Sequence, residues 1–306
     1  MCRNSGGCMP IKLKIIGTER GLGVDHAGAT RASDTIVIHH AGDVRFEGGS
    51  VEAERLRVTI ADALPYTIYN GGMIKATALY FDAYQVNNGH VHNGEGGKIE
   101  ANEWQVTAKE FVNSGHIHTG LRAKISADFL MMNGKMQGTE EIDLDSKMRY
   151  ELNPAGQLSA KTITITGPYV LFIRGAPRRN RAYAGKYMDI GCKNGGCAAA
   201  RIDADQLQLK ATSIIKNYGH IKAQQSTMEA GYMVENYGRF QSDILDIQAY
   251  EFANRGNMNG MVEANQLQVN TTRFIHELMG NVPVRGRSSN LDKGGWGDPY
   301  KPYVGG

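Results

Sequence analysis

An eight-residue pattern returns five times along the chain: apolar, x, Ala, x, x, apolar, x, apolar. Its copies are Val51–Val58, Ile99–Val106, Leu158–Ile165, Ile202–Leu209 and Val262–Val269. Within each copy, two short stretches alternate apolar and polar residues, with a two-residue offset between them. Period-two alternation sends apolar side chains to one side of a strand and polar ones to the other. The offset reads as a corner, with the small Ala where the chain bends inward. The pattern predicts that Val51, Leu56, Val58, Ile202, Leu207, Leu209, Val262, Leu267 and Val269 face a core.

Between these copies runs a second element: Asn, any residue, Gly, polar, apolar. Asn217-Tyr-Gly-His-Ile221, Asn236-Tyr-Gly-Arg-Phe240 and Asn254-Arg-Gly-Asn-Met258 are its cleanest forms. Asn113-Ser-Gly-His-Ile117 and Asn70-Gly-Gly-Met-Ile74 belong to the same series, and Asn133-Gly-Lys-Met136 is a shortened version. The Gly is expected to supply a positive-φ turn, which Asn tolerates while bonding neighbouring backbone.

A unit of about 19 residues with three short strands cannot bury its apolar face alone; stacked units can, because each strand pairs with its equivalent above and below. The expected fold is therefore all-β, a right-handed parallel β-helix (β-solenoid) with rungs of about 19 residues, irregular ends and one inserted loop. Helices are excluded by the missing 3.6-residue period, and a sandwich does not predict one template five times over. Asn70, Asn113, Asn217, Asn236 and Asn254 would stack as a turn column with amide ladders. The boundaries read as an N-terminal arm or cap over 1–35, a β-helix over 36–282 with an insert at 167–199, and an extended aromatic, Gly-rich tail over 283–306.

The Asn-x-Gly-x-apolar turns and apolar-x-Ala-x-x-Leu-x-apolar strands resemble the haemagglutinin-type repeats of filamentous haemagglutinin and related two-partner-secretion adhesins. The resemblance covers about 40–282, except 167–199. It implies a right-handed β-helix that projects adhesive or toxin-delivering tips from bacteria, and so an extracellular or cell-surface location. No apolar h-region precedes the repeats in Met1–Pro10, which keeps a cytoplasmic location as the alternative.

Composition agrees with a folded, turn-rich chain. Of 306 residues 41% are hydrophobic and 8% aromatic, and there are 38 Gly but only 8 Pro. No stretch reaches the ~18 apolar residues of a membrane-spanning helix. The net charge of +3 is too small to argue for nucleic acid by itself. The four cysteines form two similar Gly-rich loops, Cys2 to Cys8 and Cys192 to Cys197. They are candidates for disulfides or free thiols, with a four-thiolate metal site the less favoured reading because the spacers exceed those of most zinc knuckles.

Chemistry on a solenoid concentrates where the repeat fails. The main break, Gly167–Ala199, holds Arg174, Arg178, Arg179, Arg181 and Lys186 interleaved with Tyr169, Tyr183 and Tyr187. Arg forks and Tyr platforms suit an anionic glycan, a phosphate or nucleic acid; a solvated or packing loop is the plainer reading. A second break, His92 to Gly97 with Asn-Gly-Glu-Gly-Gly inserted, lies beside His90-Val-His92. With His116-Ile-His118, which follows what reads as an equivalent turn, four imidazoles would stack into a candidate Zn, Ni or Cu site, against the simpler alternative of a solvated polar column. His39-His40 is weaker, since neighbours on a strand face opposite ways. Asp143/Asp145, Asp203/Asp205 and Asp243/Asp246 are candidate acid pairs of the kind β-helix glycosidases use. Their recurrence at repeat positions favours an ordinary outward face.

The tail carries Trp296, Tyr300 and Tyr303, with Pro299 and Pro302 keeping it extended. Those rings suit docking on a partner. The functional expectation is a non-catalytic, surface-binding or adhesin-like repeat rod without a cofactor, whose partners are other copies of itself or a surface receptor or glycan rather than nucleic acid. A self-assembling scaffold is the alternative, and a β-helix carbohydrate-active enzyme is third.

Overall fold

The computed structural model of the chain describes residues 11–19, 23–62, 64–84, 89–153, 155–167, 187–191, 200–255 and 260–276, with backbone alone for 187–191 and 276. The described residues form a β-solenoid of about 11 turns, all-β, with parallel strands and no helix. None of them builds a helix long and apolar enough to cross a membrane. The chain divides into two compact units, residues 1–147 with 157–160, and residues 148–156 with 161–306.

In the first unit, each full rung contributes to three stacked faces. One face runs through Lys12–Gly17, Thr35–His40, Arg55–Ile60, Ala78–Asp82, Glu103–Thr107 and Arg122–Ser126. A second runs through Val24–His26, Val44–Phe46, Thr67–Asn70, His90–Asn93, Glu110–Asn113 and Phe129–Met132. The third runs through Ala29–Arg31, Ser50–Ala53, Met73–Ala76, Lys98–Ala101, His116–Thr119 and Lys135–Gly138. Among the described residues, rung pairing thus begins at Lys12, upstream of the recognisable template.

The second unit repeats this plan. Arg201–Ala204, His220–Ala223, Arg239–Ser242 and Met261–Ala264 stack as one face, and Gln206–Ala211, Gln225–Ala230, Ile244–Ala249 and Gln266–Thr271 as another. The remaining face runs through Tyr187–Gly191, Ile214–Tyr218, Met233–Asn236, Glu251–Asn254 and Arg273–His276. The segment read as an insert at 167–199 therefore contains a rung strand.

The template works as alternation predicts. Val51, Leu56, Val58, Ile202, Leu207, Leu209, Val262, Leu267 and Val269 are all buried. In Lys98–Asn113 the two-residue offset falls at Asn102 and Glu103, both exposed between buried Ala101 and Trp104. The register shifts there against the next strand, which is the corner. Trp104 fills the first unit's core, edge-on to Phe81 and Phe111 at centroid separations of 6.2 and 5.6 Å. Burying a side chain of this size contributes about 2–3 kcal/mol, and each rung adds several.

The turn column is an amide ladder in each unit. Asn70 donates to Asn93 and Asn93 to Asn113, both at 2.8 Å; Asn217 donates to Asn236 and Asn236 to Asn254, also at 2.8 Å. All six side chains are buried. The carbonyls of Asn70 and Asn217 also accept from the amides of Gly72 and Gly219. Apolar residues flank the ladders, Phe46 and Met132 in the first unit and Ile190 in the second.

The glycine of the turn plays a different part from the one expected. Among the described glycines, Gly48 alone has positive φ, at 69°. A Cβ on Gly115 would lie 2.2 Å from the Gly97 carbonyl oxygen, one on Gly134 2.1 Å from that of Gly115, and one on Gly238 2.2 Å from that of Gly219. These positions take Gly because the backbone of the neighbouring rung occupies the space of a side chain.

Candidate functional site

The strand His90–Asn93 lies on the second face of the first unit, between Thr67–Asn70 and Glu110–Asn113. Val91 and Asn93 are buried, so alternation turns His90 and His92 outward together. His90 lies opposite Glu110 on the following rung. The outward positions flanking His92 are Tyr69 and Val112.

Glu110 reaches both imidazoles. Its Oε1 lies 3.1 Å from His92 Nε2 and 3.8 Å from His90 Nδ1. One donor atom from each of the three side chains falls within 4.8 Å of the other two. The rings of His90 and His92 meet edge-to-face, 5.9 Å between centroids and 82° between planes. All three side chains are part-buried, at 25%, 35% and 35% exposure, so solvent reaches them without dissolving the cluster. The hydrogen bond with His92 holds the Glu110 carboxyl below its ordinary value, against the opposing effect of burial. Beside the cluster a shallow groove is lined by Arg45, Glu47, Thr67, Tyr69 and His92.

The four-histidine stack does not form. His116 and His118 lie on the third face, in register with Lys98 and Glu100 on one side and Lys135 and Gln137 on the other. The motif Gly-His-apolar-His occurs twice in sequence but at two phases of the rung. His90 and His92 precede their turn Asn93, whereas His116 and His118 follow theirs, Asn113. Aligning Asn93 with Asn113 brings Glu110, absent from the expected set, opposite His90. His40 is buried against Gly17 while His39 is half-exposed, as neighbours on a strand must be.

Five of the six paired acids are tied into the rungs. Asp143 pairs with Arg122 at 3.6 Å and Asp145 accepts from Ser126 at 3.4 Å. Asp205 accepts from Gln224 at 3.1 Å, Asp243 from Asn265 at 3.0 Å and Asp246 from Gln248 at 3.2 Å. Asp203 is exposed on the strand Arg201–Ala211.

Arg174, Arg178, Arg179, Arg181, Tyr183, Lys186, Trp296, Tyr300, Tyr303, Cys2, Cys8, Cys192 and Cys197 lie outside the described residues. Tyr187 opens a strand paired with Ile214–Tyr218. Comparison with protein-family models, with curated proteins and with solved structures finds no match, so the likeness to haemagglutinin-type repeats rests on the template and turn residues alone.

Proposed function

We propose that this chain is a non-catalytic binding solenoid, an adhesin-like surface for an anionic glycan or a glycan-bearing receptor, working at the cell surface or outside the cell. The observation that carries this reading is what the outward carboxylates do. A glycosidase pair must leave two acids facing one space that a sugar can enter, roughly 5–9.5 Å apart. Here the outward acids of Asp143/Asp145 and Asp243/Asp246, and Asp205, are engaged by side chains on their own or adjoining rungs. Stacked faces with repeating polar groups suit an extended ligand better than a small one. An exposed aromatic platform adds to this in the second unit, where Tyr232 and Tyr250 stack at 5.7 Å with 12° between planes.

Within this reading the basic segment with Arg178, Arg179 and Arg181 supplies the anion contacts. Heparin affinity chromatography with a salt gradient tests it. Replacing the three arginines with Ala should move elution to lower salt, because fewer charged contacts are made and each is screened. Elution at unchanged salt would remove the anionic glycan from the account.

A self-assembling scaffold is the second reading. Among the described residues, Met261–His276 is the last strand of the stack and is paired along one edge, by Arg239–Asn254. An open strand edge pairs with whatever reaches it, and the tail with Trp296, Tyr300 and Tyr303 is suited to bridge copies. Deleting 287–306 should then shift the protein to smaller species in sedimentation. A full-length chain already monomeric at tens of micromolar would exclude this reading.

A further inference from the structure

We propose that His90, His92 and Glu110 form a surface centre for a divalent transition-metal ion of the zinc, nickel or copper class. Two imidazoles and one carboxylate are a nitrogen-rich set, which suits these ions and not the oxygen-seeking calcium or magnesium. His90 and His92 are two residues apart on a strand, so the backbone itself turns both rings to one side. Glu110 arrives from the adjoining rung, fixed by the register His90↔Glu110.

The spacing is close to what coordination requires. Ligand bonds of about 2.0–2.1 Å in a tetrahedral centre put donor atoms roughly 3.4 Å apart. Glu110 Oε1 is 3.1 Å from His92 Nε2 and 3.8 Å from His90 Nδ1. The three donors lie within 4.8 Å of one another, so the widest edge closes by small side-chain rotations of part-exposed rings. The hydrogen bond that now joins His92 to Glu110 would be exchanged for two metal bonds.

Three protein donors leave a tetrahedral ion one further position, for water or a group brought by a ligand. The groove lined by Arg45, Tyr69 and His92 opens beside it. The centre is thus built to bind an exchangeable ion at the surface rather than to bury a structural one. It stands independently of the glycan reading, since its residues lie on a different part of the chain from the basic segment.

Equilibrium dialysis against Zn(II) with elemental analysis tests the proposal on the full chain. Wild type should retain one equivalent more than His92→Ala, and Glu110→Gln should weaken that equivalent by at least about tenfold. His118→Ala, on another face, should bind as wild type does. Because the cysteines offer a rival site, Co(II) is the second probe. The wild type should show visible d–d bands of a nitrogen–oxygen centre that are missing from His90→Gln and His92→Ala, with the folded circular-dichroism spectrum retained in both. Equal Zn(II) stoichiometry in all four proteins would overturn the proposal. So would Co(II) spectra that carry sulfur charge transfer alone and do not change in the histidine variants.

Discussion

Asn93 donates from Nδ2 to Oδ1 of Asn113 at 2.8 Å, and both amides are buried. An interior amide of such a column, Asn93 or Asn236, both donates to one neighbour and accepts from the other, so removing it leaves an unsatisfied neighbour on each side, whereas an end member such as Asn113 leaves one. A buried polar group stripped of its partner costs about 1–3 kcal/mol. Asn236→Ala should fall at the upper end of this range or beyond it. It loses the bond from Asn217, the bond to Asn254 and contacts to the carbonyls of Gly238 and Met261. Denaturant melts should rank Asn236→Ala below Asn113→Ala, and both below wild type.

The turn glycines separate two reasons for lacking a side chain. Gly238→Ala places a Cβ 2.2 Å from the Gly219 carbonyl oxygen, so the rungs must part. It should cost about 3 kcal/mol. Gly28→Ala meets nothing within 4 Å and should lie within about 0.5 kcal/mol of wild type. Gly48→Ala meets nothing either, but its φ of 69° should cost about 1–2 kcal/mol. Thermal or chemical unfolding of the three variants checks the order.

Two buried glutamates should respond to acid in opposite directions. Burial disfavours the charge of Glu235, yet Lys216 at 3.0 Å and Arg255 at 3.1 Å outweigh it and hold the carboxyl below the ordinary glutamate value. Its contribution to stability is present above the unfolded value of 4.5 and is lost as pH falls through the lower folded value. Glu235→Gln should therefore cost about 1–3 kcal/mol at neutral pH, with the gap to wild type closing in acid. For Glu151, burial pushes the carboxyl up and Arg149 only partly offsets it. Its contribution favours the folded state in acid and is lost as pH rises through the folded value. Glu151→Gln should be neutral or stabilising at pH 7. Unfolding curves across pH 3 to 8 test both signs.

Tyr150 is fully buried, and among the described residues its hydroxyl has no hydrogen-bond partner. Burial alone drives its ionisation far above the usual tyrosine range. Tyr150→Phe removes an unsatisfied hydroxyl while keeping the ring, and should raise stability by about 1 kcal/mol. A drop in the unfolding midpoint would mean that the hydroxyl is satisfied.

Much of this fold was legible because a solenoid writes its geometry into the chain at every rung. Alternation around Leu56, Leu207 and Leu267 marked the inward face, and recurring Asn marked the turn column. What escaped was phase. Gly-His-Val-His and Gly-His-Ile-His look alike locally, but the rung is set by the Asn that ends its strand, and in sequence Asn93 reads as part of an insert. Once Asn93 is set against Asn113, Glu110 falls opposite His90. The strand at 12–17 escapes for another reason: as the first rung strand among the described residues it is more exposed, with burial alternating between exposed and half-exposed, and it lacks the template. The glycines read in sequence as left-handed turns because sequence records a missing Cβ without the carbonyl that fills its place.

Stacking in register is the claim on which the rest depends, and paired cysteines on exposed neighbours test it most directly. Gln225 and Ile244 are register partners on adjacent rungs, both exposed, whereas Gln206 and Ile244 are separated by the intervening rung. Adjacent strands lie about 4.8 Å apart, so two rungs span about 9.6 Å, beyond the ~7 Å Cα separation a disulfide tolerates. In a background with the native cysteines replaced by Ser, mild oxidation should join Gln225→Cys to Ile244→Cys within the chain. Gln206→Cys with Ile244→Cys should stay reduced. Equal oxidation of the two pairs, or oxidation of the second alone, would contradict the register and the stacked faces built on it.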